Sequence, residues 1–323
     1  MKNLLQRIKK LIAPFPFILN ILRILKDTRY FYHIIQGKFT SVRARKNLRN
    51  FEKLFYKKRI SLKEYFVDET MKKEKFSSFV KEGILINPIS IEPDIVDNIK
   101  DSLQNYLCHD PENNEQGYFL IKDKPKYISR AYYQCEDLVK IPAIMKIAND
   151  PRILAYVSKY MGVLPRIDSI YAWWSFPSEN KALTQSYHRD IDTLHAVKFF
   201  IYLTDVNLDS GPHIYIKSSM KSNLVTTKDK SHLDNEIESE YSKEDIVNIT
   251  GESGFNFLGD LFSFHKGLTP LSKPRLLLQI YYSLNSTPFG PKKPFIDSQL
   301  VNNIRSDGVA RLVNKNIIRY PIS

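Results

Sequence analysis

Three residues of the sequence have the types and order of a metal-binding triad. His188 and Asp190 are separated by one residue, and His265 follows later in the chain. Alternate side chains of an extended strand point to the same side, so His188 and Asp190 can share one ion. Two imidazoles and one carboxylate on one face of an octahedral metal leave three positions open, and iron(II) can then bind a chelating cosubstrate and O2. The pattern therefore indicates a non-haem iron(II) centre.

Each of these residues has a simpler explanation when it is taken alone. A His-x-Asp triplet often arises by chance and forms a surface ion pair, and a histidine at a strand end is commonly a packed residue. His195 and His213 are interpreted in this way, as packing or pocket-lining residues. The aromatic residues Tyr171, Trp173 and Trp174 are candidates for the core or for a pocket wall.

The sequence around the triad predicts strands that could position it. Residues 167–176, 194–203 and 214–216 are rich in β-branched and aromatic residues, and residues 254–264 and 276–284 continue the pattern. Several short strands with few helices between them favour an antiparallel barrel or jelly roll. Arg275 opens the last strand, where its guanidinium could hold a cosubstrate carboxylate through two parallel hydrogen bonds. Its alternative role is a structural salt bridge.

Helices are predicted before these strands. Pro93 begins one helix, and Asp150 and Gly162 bound a second. Residues 79–88 contain a turn glycine followed by a short apolar strand. The prediction is an α+β fold, in which residues 76–323 form a double-stranded β-helix (jelly roll) with flanking helices and a charged, serine-rich insertion at about residues 219–250.

With these motifs in this order, the sequence resembles the phytanoyl-CoA dioxygenase-like family of iron(II) and 2-oxoglutarate dependent oxygenases. The resemblance covers Phe79 to Asn285. It is carried by residues 79–86, residues 148–162, the His188 and Asp190 motif, residues 200–212, and the distal motif of His265, Ser272 and Arg275.

The resemblance implies that His188, Asp190 and His265 bind iron(II). It further implies that Arg275 pairs with the distal carboxylate of 2-oxoglutarate, with assistance from Ser272. The implied reaction uses O2 to decarboxylate 2-oxoglutarate to succinate and hydroxylates a substrate C–H bond. Similar halogenating enzymes replace the carboxylate ligand by a small residue, so the presence of Asp190 indicates a hydroxylase.

The substrate class does not follow from the resemblance. Where many members have a Gly-Ser-His turn near the substrate entrance, this chain has Lys-Ser-Ser-Met at residues 217–220. The expected substrate is a small molecule, a lipid or a carrier-linked sugar.

Basic residues are concentrated in the first quarter of the chain. The net charge of the chain is +13. Residues 1–76 contain 20 Lys and Arg and 6 Asp and Glu, whereas residues 77–323 contain 28 Lys and Arg and 29 Asp and Glu. Apolar residues at helical spacing from Leu5 to Phe15, with cations between them, predict an amphipathic helix. Residues 1–75 are therefore predicted to form a basic helical extension. Residues 1–60 could lie on an anionic membrane surface, or the extension could be a solvated hairpin packed on the main domain.

Several classes of protein are disfavoured. The charge-free run from Leu11 to Leu22 has 12 residues, fewer than the ~20 that span a bilayer, and no Ala-x-Ala cleavage pattern follows it. Two cysteines do not form a disulfide framework, so the expected location is the cytoplasm, with peripheral membrane contact. Nucleic acid is disfavoured because residues 77–323 have no cationic excess. The competing hypothesis is a non-catalytic jelly-roll protein that binds a membrane or polyanion through its basic N-terminus.

Overall fold

The computed structural model describes residues 16–39, 41–56, 73–178, 186–222, 234–298 and 308–321. The helices in these ranges are α1 (Pro16–Lys26), α2 (Arg29–Gly37), α3 (Val42–Tyr56), α4 (Lys73–Glu82), α5 (Pro93–Leu103), α6 (Cys135–Leu138), α7 (Pro142–Ala148), α8 (Pro151–Met161), α9 (Asp234–Glu238) and α10 (Gly308–Val313). The strands are β1 (Ile84–Ile86), β2 (Leu107–His109), β3 (Tyr118–Leu120), β4 (Arg130–Tyr133), β5 (Arg166–Ser175), β6 (Ala196–Tyr202), β7 (His213–Ile216), β8 (Ile246–Ile249), β9 (Asn256–Asp260), β10 (His265–Gly267), β11 (Arg275–Ser283), β12 (Ile296–Asp297) and β13 (Ile318–Arg319).

Two antiparallel sheets pack against each other. The larger has eight strands in the order β1-β9-β6-β11-β5-β4-β2-β3, and the smaller has three in the order β10-β7-β8. Phe200 of β6, Phe257 of β9 and Leu277 of β11 belong to one buried cluster with Tyr215 of β7 and Ile249 of β8. This cluster is the layer between the sheets. Strands β12 and β13 form a separate parallel pair.

The helices of the main domain cover the other face of the large sheet. Every residue of β11 is buried, and Leu276, Leu278 and Ile280 pack in the same core cluster as residues of α5 and α8. Side chains of a strand alternate between its two faces, so Arg275, Leu277 and Gln279 lie on the face toward the small sheet. Helix α8 begins where the Asp150 side chain accepts a hydrogen bond from the Arg152 backbone N–H and ends at Gly162, whose φ is +73°.

The N-terminal helices pack on the main domain through buried polar contacts. The Arg29 guanidinium on α2 donates to the carbonyls of Gly290 and Pro291. His33 Nδ1 donates to the carbonyl of Asp192 at 3.1 Å, and the Gln36 amide donates to the carbonyl of Ile191. On α3, Arg45 is 1% exposed and donates to the carbonyl of Thr193 at 2.6 Å. Helices α2 and α3 therefore hold the loop of residues 191–193.

The structure confirms the predicted α+β jelly roll with flanking helices and differs in details. The short strand predicted after the turn glycine is β1, which contains only residues 84–86, and residues 79–82 before it end α4. Helix α4 also runs through the predicted domain boundary at 75/76. Within the predicted insertion at about residues 219–250, β8 pairs with β7. The helix predicted from Leu5 to Phe15 lies outside the described residues. None of the helices in the described ranges is long and apolar enough to cross a bilayer.

Replacing Arg45 by Met should lower the free energy of unfolding by about 1–3 kcal/mol, because the buried carbonyls of Thr193 and Phe39 lose a charged donor. Urea-induced unfolding followed by tryptophan fluorescence measures this change. Arg43, on the same helix, is exposed, and Arg43→Met is expected to stay within about 0.5 kcal/mol of the wild type. Equal losses in the two variants would contradict the role assigned to Arg45.

Candidate metal centre

Reciprocal backbone pairing brings the two histidines together. The His188 N–H donates to the carbonyl of His265 at 3.0 Å, and the His265 N–H donates to the carbonyl of His188 at 3.1 Å. Residues that exchange both bonds in an antiparallel pair lie directly opposite each other, with side chains on the same face. Asp190, two residues further on, returns to that face, and its N–H donates to the carbonyl of Leu261 at 2.9 Å.

The three side chains converge on one point. His265 Nε2 lies 3.3 Å from Asp190 Oδ2, and His188 Nε2 lies 3.7 Å from Asp190 Oδ1. One ligand atom from each residue falls within 4.8 Å of the others. Adjacent ligands of an ion bonded at about 2.1 Å are separated by about 3 Å. The arrangement therefore fits a single metal ion after a small contraction.

The second nitrogen of each imidazole fixes the tautomer. His188 Nδ1 lies 2.9 Å from the carbonyl oxygen of Ser186, and His265 Nδ1 lies 2.9 Å from that of Ser263. A carbonyl only accepts, so each Nδ1 carries the proton and each Nε2 presents its lone pair. Metal-binding histidines are oriented by hydrogen bonds of this kind.

The protonation states also suit a metal. Burial, and then the neighbouring His265, lower the pKa of His188 to about 4. Burial raises the pKa of Asp190, but Lys198, with Nζ 2.6 Å from Oδ2, and the two histidines hold it well below its usual value. At neutral pH His188 is a neutral imidazole and Asp190 a carboxylate, which are the forms that coordinate metals.

Packing behind His265 leaves little freedom for its ring. The Tyr215 ring stacks on it with centroids 4.9 Å apart and an angle of 11°. Gly259 on β9 makes room for this tyrosine, since a Cβ there would lie 2.4 Å from the Tyr215 hydroxyl oxygen. The residue at 259 therefore affects the metal ligand through Tyr215.

Residues 217–220, the turn that departs from the family pattern, support the triad. The buried Ser219 Oγ accepts a hydrogen bond from the Phe264 N–H at 2.7 Å, next to His265. The Ser219 carbonyl accepts one from Arg189 at 2.6 Å, between His188 and Asp190. The turn thus ties both ligand segments together, a role that the sequence did not reveal.

A cavity of about 320 Å³ adjoins the triad. His188, His265 and Arg275 are among its lining residues. Arg275 is buried, and one of its guanidinium nitrogens donates to the carbonyl of Gly211. Its Nε has no hydrogen-bond partner among the described residues. A buried guanidinium with an unsatisfied donor is suited to hold a carboxylate that enters the cavity.

Other lining residues give the cavity an aromatic wall and several polar groups. Tyr132 and Trp173 stack with centroids 5.2 Å apart and an angle of 2°. Burial, and then the charge of Asp190, raise the pKa of Asp192 to about 7. The other polar lining residues include Arg130, Lys198, Gln279, Tyr281 and Thr287.

The structure brings together four of the five predicted site residues. Ser272 is exposed in the loop before β11, where its N–H donates to the carbonyl of Asp209, and it does not line the cavity. Tyr171, Trp173 and His213 do line it. Lys198 and Asp192 also line the cavity, but the sequence analysis did not identify them as site residues. The position of Lys198 within an apolar strand was the one available signal for it, because a cation there needs a partner.

No family model and no curated protein matches the sequence. Solved structures do match. EctD from S. alaskensis with 2-oxoglutarate and 5-hydroxyectoine is 18% identical, the match covers 78% of this chain and 88% of EctD, and the TM-score is 0.53. EctD with bound Fe is 16% identical over the same shares, with a TM-score of 0.53. These two structures contain 2-oxoglutarate with 5-hydroxyectoine and Fe, respectively, and both have a jelly-roll fold. The likeness shows that this chain has that fold, and the His-Asp-His triad lies within it.

Replacing Asp190 by Ala should weaken binding of Fe(II) by about a hundredfold or more, because the only anionic ligand of the triad is lost. Anaerobic isothermal titration calorimetry measures the affinity. Asp192→Asn removes a carboxylate two residues away that lies outside the triad, and this control should keep the affinity. A metal affinity that depends on Asp192 instead of Asp190 would disprove the assignment of the ligands.

Proposed function

We propose that this protein is an iron(II) and 2-oxoglutarate dependent oxygenase that hydroxylates a small molecule, a lipid or a carrier-linked sugar. One observation carries the proposal: three metal-ligand atoms within 4.8 Å of one another adjoin a cavity that also contains the buried Arg275. A structural metal site would not need the open coordination positions or the cavity.

His188, Asp190 and His265 would hold the iron. Bound iron(II), together with 2-oxoglutarate and O2, would supply the oxidative decarboxylation that forms succinate and delivers an oxygen atom to the substrate. Three protein ligands would leave coordination positions for the cosubstrates. The hydrogen bonds from the two Nδ1 atoms would keep the ligands in place through turnover.

Arg275 would hold the distal carboxylate of 2-oxoglutarate. Its guanidinium is fixed on one side by the Gly211 carbonyl and faces Gly267, where an added Cβ would lie 3.8 Å from Nη2. The absence of a side chain at 267 leaves room for a cosubstrate between Arg275 and the triad. Ser272, which the family resemblance adds to this site, is a further proposed contact that would require its loop to move.

Hydroxylation is the proposed outcome because Asp190 occupies the position that halogenating relatives leave to a halide. Assignment to the phytanoyl-CoA dioxygenase-like branch rests on the order of motifs from Phe79 to Arg275. The cavity volume of about 320 Å³ lies at the lower end of small-molecule sites. It suits a small substrate, or one end of a larger one, beside the Tyr132 and Trp173 wall.

The competing proposal is a non-catalytic jelly-roll binding protein. It would be favoured if Asp190 pointed away from His265 or if Arg275 were blocked from the cavity. Asp190 Oδ2 instead lies 3.3 Å from His265 Nε2, and Arg275 lines the cavity. The geometry supports the enzyme over the binding protein.

Purified protein loaded with iron(II) without oxygen should form succinate from 2-oxoglutarate when oxygen is admitted, and Asp190→Ala should not. Many such enzymes turn over slowly without their substrate, so the succinate measurement is paired with binding of iron and 2-oxoglutarate. If neither iron nor 2-oxoglutarate binds, the oxygenase proposal is wrong and the binding-protein proposal takes its place.

Arg275→Met should weaken 2-oxoglutarate binding by about tenfold to a hundredfold, since a charge-assisted bidentate contact contributes about 1.5–3 kcal/mol. Arg275→Lys keeps the charge but not the planar fork and should recover only part of the affinity. Titration of the iron-loaded protein with 2-oxoglutarate provides the comparison. Unchanged iron affinity in both variants is the control, and unchanged 2-oxoglutarate affinity would refute the role of Arg275.

A further inference from the structure

The outer surface of the N-terminal helices is unusually apolar. Eighteen large hydrophobic residues are exposed among the described residues, and ten of them lie within residues 16–56. These ten are Phe17, Ile18, Ile21, Leu22, Leu25, Phe31, Ile35, Phe39, Phe51 and Leu54. Exposed apolar side chains concentrated in one segment of the chain point to an interaction site.

Helix α1 carries the densest part of this surface. Its five exposed apolar residues recur at the spacing that places them on one face of a helix. Phe17 and Leu25 are 75% and 77% exposed. Leu19 and Asn20, on the other side, are half-buried, and α1 packs against α2. The helix therefore turns its apolar face outward.

The charges on the same helices are almost all positive. Residues 16–56 contain nine Lys and Arg and two acidic residues, Asp27 and Glu52. Asp27 pairs with Arg29 at 2.8 Å, and Glu52 accepts a hydrogen bond from the Tyr32 hydroxyl at 2.5 Å. Neither acid is exposed. The exposed charges of the described residues from 16 to 56 are all cationic: Arg23, Lys26, Lys38, Arg43 and Lys46.

The opposite side of the helices is fixed to the main domain. His33, Gln36 and Arg45 are buried against the loop of residues 191–193, so the apolar face is held away from the core of its own domain. The His33 ring also contacts the ring of Phe289, with centroids 5.2 Å apart. Phe289 is half-exposed and lines the cavity. The helices therefore adjoin the rim of the cavity.

We propose that α1, α2 and α3 dock the protein on an anionic phospholipid surface. The apolar side chains of α1 enter the boundary between headgroups and acyl chains, and the exposed cations lie beside lipid phosphates. A nucleic acid would use the cations but gives no role to an aliphatic face of Ile and Leu. A second copy of the chain would bring two cationic surfaces together, which is unfavourable. Docking places the rim at Phe289 close to the lipid.

Co-sedimentation of the full-length protein with vesicles tests the proposal. The vesicles are phosphatidylcholine alone, or equal parts of phosphatidylcholine and phosphatidylglycerol. Each basic residue near an anionic surface raises partition about fivefold, so Arg43→Glu with Lys46→Glu should weaken binding to the anionic vesicles by at least about thirtyfold. Phe17→Ser with Leu25→Ser should weaken it by at least about tenfold. Leu208→Ser, an exposed apolar residue elsewhere on the chain, should leave it unchanged.

Three results would overturn the proposal. The first is equal sedimentation with both kinds of vesicle, or with neither. The second is a dimer in light scattering that dissociates in the Phe17 and Leu25 variant, because a second copy would then cover the apolar face. The third is tight binding to duplex DNA that the Phe17 and Leu25 variant retains. Thermal unfolding confirms that each variant is folded. The assay contains no iron or 2-oxoglutarate, so its failure is independent of the oxygenase proposal.

Discussion

The paired backbone hydrogen bonds between His188 and His265 are the constraint on which the site depends. They connect two segments that are far apart in the sequence and place both imidazoles on one face. Ser219 supports this pairing from the side, since its hydroxyl and carbonyl bind the residues next to the two ligand segments. Because backbone geometry sets the pairing, the ligand positions depend little on side-chain flexibility.

Electrostatics inside the site follow from burial. Lys198 balances the buried Asp190 carboxylate, whereas Arg275 is buried without a carboxylate partner among the described residues. Burying an unpaired charge is costly, and proteins keep such groups where a ligand supplies the counter-charge. The cavity thus has one cation, Lys198, that is paired beside the triad and a second cation, Arg275, to which the proposed function assigns an anionic cosubstrate.

The sequence was sufficient to predict that His188, Asp190 and His265 converge, that Arg275 opens a strand beside them, and where most of the strands that carry them lie. The segments around Trp173, Phe200 and Leu278 are rich in β-branched and aromatic residues, which is typical of strands buried on both faces. This composition can be recognised within each short segment, without knowledge of the fold. Arg45 was not predicted as a packing residue because its partner, Thr193, is distant in the chain, and Lys198 was not predicted as a site residue because its ion pair with Asp190 depends on how the loop before β6 folds. Arg45 lies in a basic run that is typical of a solvated helix, and only the fold reveals that the side chain is 1% exposed. The role of Ser219 was not predicted either, because its contacts with Phe264 and Arg189 form only in the folded chain.

The contacts of His33, Gln36 and Arg45 with residues 191–193 have a consequence for how this chain can be divided. Three consecutive backbone carbonyls, beginning one residue after Asp190, receive their donors from the N-terminal helices. A fragment trimmed at residue 76 would expose these carbonyls and loosen the loop beside the ligand. The extension is therefore not an interchangeable module, and a recombinant exchange of N-terminal segments between proteins of this fold would have to transfer the loop with it.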